Sequence, residues 1–371
     1  MLSLSSGVQP PTWEEVRACT QMNASAKDRV TLRGPSVPPV EHWGVAAIAC
    51  VLAILCVPLG RAAAPMVKTQ PGYYRMMIGD FEVTALNDGV VYSSASGSLP
   101  DATPREIADG LSANCLTDRV GMSYNAFLIN TGSKLVLIDT GTGGKGANYA
   151  VFRGCGHLIA NLRAAGYVPE QVDEVYITHS HLDHVGGLTL GEQRTFPNAT
   201  VRAAASEVDG FLNPDRMAAA PMAKKAGLQS LAGLFQPYIK AGRFSAFNED
   251  RTLVPGIRAV ATHGHTPGHT SYVVESNGQT MIVLGDLVHV GALQFLYPSA
   301  RFASDADPVA AATQRMRVFQ MAADGGFWVA GSHLSFPGIG HLRGNGVHYA
   351  WIPAIYAEPL EDEGPLTRSK G

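Results

Sequence analysis

Short apolar runs separated by glycine- and proline-rich breaks dominate the chain from about residue 80 onward. DFEVTALNDGVVY (80–92) alternates apolar and polar positions and carries Asn87-Asp88-Gly89, which predicts a hairpin turn inside it. Residues 98–120 are polar and read as irregular. MSYNAFLIN (122–130) and KLVLIDTG (134–141) predict two strands joined by Thr131-Gly132-Ser133, and EVYIT (174–178) a short buried strand. HLIANLRAAG (157–166) places Leu158, Ile159, Leu162 and Ala165 on one helical face and stops at Gly166. Residues 203–240 are alanine-rich and predict helix interrupted at Pro214 and Pro221. IRAVAT (257–262), TSYVVES (270–276) and TMIVLG (280–285) predict strands, DPVAAATQRMRVFQMAADGG (307–326) a helix ended by Gly325-Gly326, and FWVAGS (327–332) a last strand. No repeat or low-complexity linker divides residues 70–355, so one domain is expected over 63–357, with strands in two groups and helices outside them. Residues 358–371 form a polar tail.

Composition changes this picture little. Charged residues are 16% of the chain and glycines number 40 of 371, which fits a well-buried core with many tight loops and argues against disorder. The net charge of −3, with no basic run, excludes a protein whose main task is gripping nucleic acid backbones. Five cysteines do not make a disulfide scaffold.

The N-terminal 62 residues stand apart as an extension. WGVAAIACVLAILCVPLG (43–60) is an uncharged apolar stretch of 18 residues, followed at once by small residues. Gly60 and Ala62 fit the −3 and −1 positions of a signal-peptidase site, so the expectation is export to the periplasm or beyond, with Ala63 as the mature start. The alternative is an uncleaved membrane anchor. The mature chain would keep Cys115 and Cys155, read as two buried free thiols.

The chemistry centres on THSHLDHVGG (178–187). Residues two apart in an extended segment face the same side, so His179 and His181 suit one ion, and Asp183 and His184 a second after a turn. Other strand ends complete the inventory: HGHTPGHT (263–270), VLGDLV (283–288) and VAGSHLSFPGIGH (329–341). The expected site is dinuclear. His179, His181 and His269 hold the first ion; Asp183, His184 and His333 hold the second; Asp286 bridges them. Imidazole and carboxylate suit zinc above all, and also manganese, cobalt or iron.

These segments resemble the metallo-β-lactamase superfamily, whose αββα sandwich carries the H-x-H-x-D-H signature. Within it, PGYYRMMIGDFEVTALNDG (71–89), NTGSKLVLIDTG (130–141), AAGYVPEQVDEVYITHSHLDHVGGL (164–188), HGHTPGHTSYVVES (263–276) and SHLSFPGIGH (332–341) most resemble the methyl parathion hydrolase group. The resemblance implies a dinuclear hydrolase of small-molecule esters, organophosphate triesters first and acyl lactones as the alternative, and a homodimer. A β-lactam hydrolase is disfavoured because Asp286 supplies a bridging carboxylate. An exported metal-binding protein without turnover is disfavoured because three protein ligands per ion leave open positions.

Asp183 and Asp286 are the expected catalytic carboxylates: Asp286 holds the ions together, and Asp183 also orients the nucleophile or passes a proton to the leaving group. Asp139 in LIDTG, His265 and His341 are expected behind the ligands, supporting their loops. The resemblance implies aromatic side chains in the substrate pocket, matched by Phe211, with Tyr149 or Phe152 from the loop after Gly141 in place of another; His289, just past the Asp286 strand end, is the further expected pocket residue. GTGGKG (141–146) lacks the ending of a nucleotide-binding loop and reads as a wall beside the site.

Overall fold

The computed structural model describes residue 66 and residues 69–356, apart from 249 and 345. The N-terminal extension, the expected cleavage site and the polar tail lie outside the described residues. No helix among the described residues is long and apolar enough to cross a membrane.

Two seven-stranded sheets form the body. The first runs β1 (Tyr73–Ile78), β2 (Phe81–Ser94), β3 (Arg119–Asn130), β4 (Leu135–Ile138), β5 (Glu174–Tyr176), β8 (Thr200–Ala204), β9 (Phe244–Phe247), with β6 (Thr189–Leu190) and β7 (Gln193–Arg194) as a separate ribbon. The second runs β10 (Arg251–Val254), β11 (Ile257–Ala261), β12 (Thr270–Ser276), β13 (Gln279–Val283), β14 (Trp328–Ala330), β15 (Ile339–Gly344), β16 (Tyr349–Pro353).

The alternation of side chains explains the layering. On β3, Phe127 and Ile129 enter the core between the sheets, where they join Val83, Tyr176, Tyr272, Val283 and Ala330. Ala126 and Leu128 point the other way, against the helices Leu158–Ala164, Ala205–Leu212 and Met222–Lys240. The helix Pro308–Gly325 covers the outer face of the second sheet through Val318, Phe319 and Ala322. Helix, sheet, sheet, helix is therefore the order of layers, the αββα sandwich. Tyr176 and Tyr272 stack across the interface at 5.5 Å, and the Tyr272 hydroxyl donates to Ile177 O at 2.7 Å.

The helix ends follow their caps. Pro214 opens its helix with Asn213 as cap, and Asp307 accepts from Ala310 N at 3.0 Å at the start of the last helix. That helix closes on Gly326 at φ 62°.

Four expectations are corrected. Asn87-Asp88-Gly89 is not a turn: β2 runs unbroken through it with a register shift against β3. The Asp88 carboxylate is buried and accepts from Thr142 N (2.9 Å), Thr142 Oγ (2.7 Å) and Leu158 N (3.0 Å), so distant segments claim the side chain a turn would expose. Residues 98–120 are not irregular throughout; Pro104–Ala113 is a helix with a capping box between Thr103 and Glu106. FWVAGS does not contain the last strand, because β15 and β16 follow. Cys115 is free but exposed, and Cys155 is free and half-buried.

Candidate metal centre

The parallel strands β4, β5 and β8 end at one edge of the first sheet, and β13 and β14 at the matching edge of the second. Loops leaving strand ends converge there. The first sheet contributes His179, His181, Asp183 and His184 after β5. The second contributes the β11–β12 loop, Asp286 after β13 and His333 after β14.

Two groups of ligand atoms form, each with its members within 4.8 Å of one another: His179, His181, His265 and Asp286; and Asp183, His184, Asp286 and His333. In the first, His181 Nδ1 lies 2.9 Å from His179 Nε2 and 3.0 Å from His265 Nε2. Asp286 Oδ2 lies 3.3 Å from His265 Nε2 and 3.5 Å from His179 Nε2. In the second, Asp286 Oδ1 is 3.1 Å from His184 Nε2 and Oδ2 is 3.1 Å from His333 Nε2, while Asp183 Oδ2 stands 3.5 Å from both rings. Buried His184 Nε2 and Asp286 Oδ1 have no hydrogen-bond partner. Imidazole nitrogens and carboxylates converging in pairs, with orphaned buried atoms among them, is the donor chemistry that two divalent ions satisfy.

The electrostatics agree. Burial alone would raise the Asp286 carboxyl, but His184, His333 and His179 outweigh it and hold it well below the usual carboxylate range. Asp183 behaves alike: burial raises it, His184 and His333 bring it down to about 2. Both are anionic ligands at neutral pH.

One expected ligand is corrected. His269 belongs to neither group. Its Nε2 accepts from Asp286 N–H at 2.9 Å, and its Nδ1 faces Thr262 O at 3.1 Å and Thr262 Oγ at 2.9 Å, so both ring nitrogens are committed. Burial, then His265, pushes its pKa down to about 3 and keeps it neutral. His265, expected behind the ligands, stands in its place. Its Nδ1 lies 2.8 Å from Asp305 Oδ1, which leaves Nε2 facing the other histidines. Asp305 also accepts from Phe302 N and lies 3.7 Å from the fully buried Arg315. Asp305→Asn puts an amide where the carboxylate fixes the His265 proton. Ion affinity at the first group should fall about tenfold to a hundredfold, read by competition with a coloured chelator.

Asp139 sits behind His184 rather than among the ligand atoms: its Oδ2 is 2.8 Å from His184 Nδ1, and it accepts from Thr178 N and Oγ. Its φ of 62° is unusual for a residue with a side chain, and these three contacts hold it there. Behind it, the loop after β4 and the end of the histidine motif meet so closely that a Cβ on Gly187 would stand 2.0 Å from Thr140 O. The Gly143–Asn148 segment packs beside this contact as a wall.

The pocket residues divide. His289 lines a cavity of about 480 Å³ that also reaches His333. Its ring stacks between Phe302 (3.5 Å, 6°) and His333 (4.9 Å, 15°). Phe211 is corrected: it is buried against Phe235 in the helix-facing core. Tyr149 is half exposed and Phe152 packs on Tyr124; neither lines the cavity. His341 is corrected too. It pairs with Trp328 at the far end of β14 from His333, its ring on Trp328 and its Nδ1 facing Phe327 O. Tyr124, edge-on to His333 at 4.6 Å, along with Phe302, Asp305 and Glu207, is a site residue that the sequence pattern alone does not mark. The one signal is placement: Tyr124 lies on the strand that MSYNAFLIN predicts.

Comparison with known proteins adds relatives. The profile of the metallo-beta-lactamase superfamily matches residues 119–333, more than half of the chain. A crystal structure of hydrolase AbOPH in the beta lactamase superfamily is similar at TM-score 0.72 and 34% identity, covering 78% of this chain and 100% of that one. AidC, a dizinc quorum-quenching lactonase in complex with a product, is similar at TM-score 0.69 and 25% identity, covering 77% and 99%. An N-acyl homoserine lactonase from Bacillus sp is 23% identical over 172 residues, 43% of this chain and 60% of that protein. The N-acyl homoserine lactonase AttM of Agrobacterium fabrum is 30% identical over 125 residues, 33% and 42%. The chain thus matches less than two thirds of the length of these curated lactonases.

Proposed function

Starting from a chain that belongs to the metallo-β-lactamase superfamily and is a metal-dependent hydrolase, we propose that its substrates are acyl lactones. The observation that carries this reading is the cavity of about 480 Å³ running from His289 and His333 between Leu116, Met122, Phe295 and Trp351. Its size is that of a small-molecule site, and a lining that combines His289 and His333 with apolar side chains fits a substrate that carries both a reactive polar group and an acyl chain. The lactonase relatives support the same substrate class.

Two divalent ions at the two groups would supply Lewis acidity and an acidified water. Zinc suits the donors best. The chain's own residues do the rest. Asp286, common to both groups, fixes their separation. Asp183 lies at the less enclosed side of the cluster and is the carboxylate placed to take up and hand on a proton, which a lactone alkoxide needs as it leaves. His289 is kept neutral, burial pushing it down to about 3. Its Nε2 faces Asp286 Oδ2 at 3.1 Å, and its Nδ1 is buried without a hydrogen-bond partner. Its Nε2 contact ties the cavity wall to the Asp286 carboxylate that both groups share. Tyr124 packs edge-on to His333 and Phe302 stacks on His289, which holds the two rings in place.

The second reading is hydrolysis of organophosphate triesters, favoured by the resemblance of five sequence segments to the methyl parathion hydrolases. A nitrophenolate leaves without protonation, so it gains little from Asp183. A paired measurement separates the two. The acyl lactone is expected to exceed the nitrophenyl dialkyl phosphotriester in kcat/KM by about a thousandfold, roughly 4 kcal/mol in transition-state terms. Equal values, or a triester preference, would overturn the lactonase reading.

A further inference from the structure

Glu207 takes no part in either ligand group, yet its buried carboxylate accepts four hydrogen bonds. It lies in the first turn of the helix Ala205–Leu212, immediately after β8. Oε1 accepts from Ser180 N (2.7 Å) and Ser180 Oγ (2.5 Å). Oε2 accepts from Thr266 Oγ (2.6 Å) and Gly268 N (3.0 Å). The two carboxylate oxygens thus face two different segments of chain, one from each sheet.

The identity of those segments gives the contact its meaning. Ser180 stands between His179 and His181. Thr266 follows His265, and Gly268 precedes His269. One carboxylate therefore ties together the segments bearing all three histidines of the first group. Its four hydrogen bonds go to neither Asp183 nor His333. The helix is also pressed onto the β11–β12 loop so tightly that a Cβ on Gly268 would lie 2.1 Å from Glu207 N. The second group is braced by other residues: Asp139 at His184, and the Asn125 side chain, which donates to Gly331 O (3.2 Å) and Leu334 O (2.8 Å) on either side of His333.

We propose that Glu207 is a positioning residue dedicated to the first metal subsite. It sets the distance between the His179–His181 segment and His265 without contacting an ion. Charge matters to this role as well as shape. A carboxylate accepts at both oxygens, and hydrogen bonds to an ionised acceptor are about twice as strong as neutral ones. Glutamine in its place keeps the length but turns a donor toward one pair of donors, which opens one arm of the clamp.

The inference rests on the reading that the two groups hold ions, and the test separates the two ideas. Ion content per chain is measured on the purified full chain by elemental analysis, before and after dialysis against a weak chelator, with cobalt absorption as a second signal. Wild-type protein is expected to retain two ions. Glu207→Gln is expected to retain one firmly and release the other, with affinity for the weak position down about tenfold to a hundredfold. Thr266→Val, which removes one donor and keeps the volume, is expected to show a smaller loss of the same ion, and serves if Glu207→Gln does not fold.

A double-mutant comparison assigns the position. Combined with His265→Ala, Glu207→Gln should cost almost nothing further; combined with His333→Ala, it should cost its full effect. Equal loss of both ions, or no change in either, would overturn the role of Glu207 and leave it a fold residue. A wild-type chain that takes up no ions would overturn the metal reading, and the role of Glu207 with it.

Discussion

Asp286→Ala is expected to abolish turnover, lowering kcat/KM by at least a thousandfold, about 4 kcal/mol. The same change should bring ion content below two per chain. Asp286 is the residue common to both ligand groups, with His179, His184, His265 and His333 all within 3.5 Å of its oxygens. Alanine removes the carboxylate that spans both positions. It also leaves buried imidazoles with no anion between them, so returning ions meet a less favourable field. Elemental analysis and rate measurement on the same sample check it. Two firmly held ions in the variant, with a rate within tenfold of wild type, would sink the bridging assignment.

The second large effect separates two histidines four residues apart. His265→Ala is expected to release the first ion, with an affinity loss beyond the roughly hundredfold that losing an outer partner costs. His269→Ala is expected to keep both ions and instead lose stability. It leaves the buried Asp286 N–H unpaired, which costs about 1–3 kcal/mol, and opens a cavity in addition. Ion content should therefore fall in His265→Ala and hold in His269→Ala, while the stability loss of His269→Ala appears without ion loss. If His269→Ala releases an ion and His265→Ala does not, the assignment of His265 to the first group is wrong.

This pair also shows where the sequence stops being legible. THSHLDHVGG, Asp286 and His333 could be read directly, because each follows a short apolar run that marks a strand, and a residue just past a strand end can project over the sheet edge. HGHTPGHT offers three histidines in eight residues, and the same logic picks the one adjacent to the strand. That adjacency misleads. His269 is already held by the ladder, with Thr262 N donating to its carbonyl at 2.9 Å, and both nitrogens of its ring are occupied by Thr262 and the Asp286 N–H. His265 is selected by Asp305, 40 residues away, and no local pattern announces such a partner. Phe211 fails for a different reason: the resemblance implies an aromatic wall there, but an aromatic on a helix serves a pocket or a helix core equally, and Phe235 on a later helix decides it. The hairpin expected at Asn87-Asp88-Gly89 was lost to Thr142 and Leu158. By contrast, the central strands β2–β5 and β11–β14 were visible as short apolar runs between turn signals, since a strand buried on both faces between a helix layer and a second sheet is apolar almost throughout, whereas β1, β8–β10, β15 and β16 carry no such run.

The division of ligands between the sheets has a consequence for how the protein is made. His179, His181, Asp183 and His184 leave the ribosome well before His265, Asp286 and His333. The first sheet's segment therefore emerges with a partial set of donors that no single ion position can use fully. Neither position exists until the second sheet docks, and the second position waits for the β14–β15 loop, among the last parts of the domain to be synthesised. The full ligand set is accordingly in place only after both sheets have docked, and a chain interrupted before residue 333 carries most of the histidines but no finished centre.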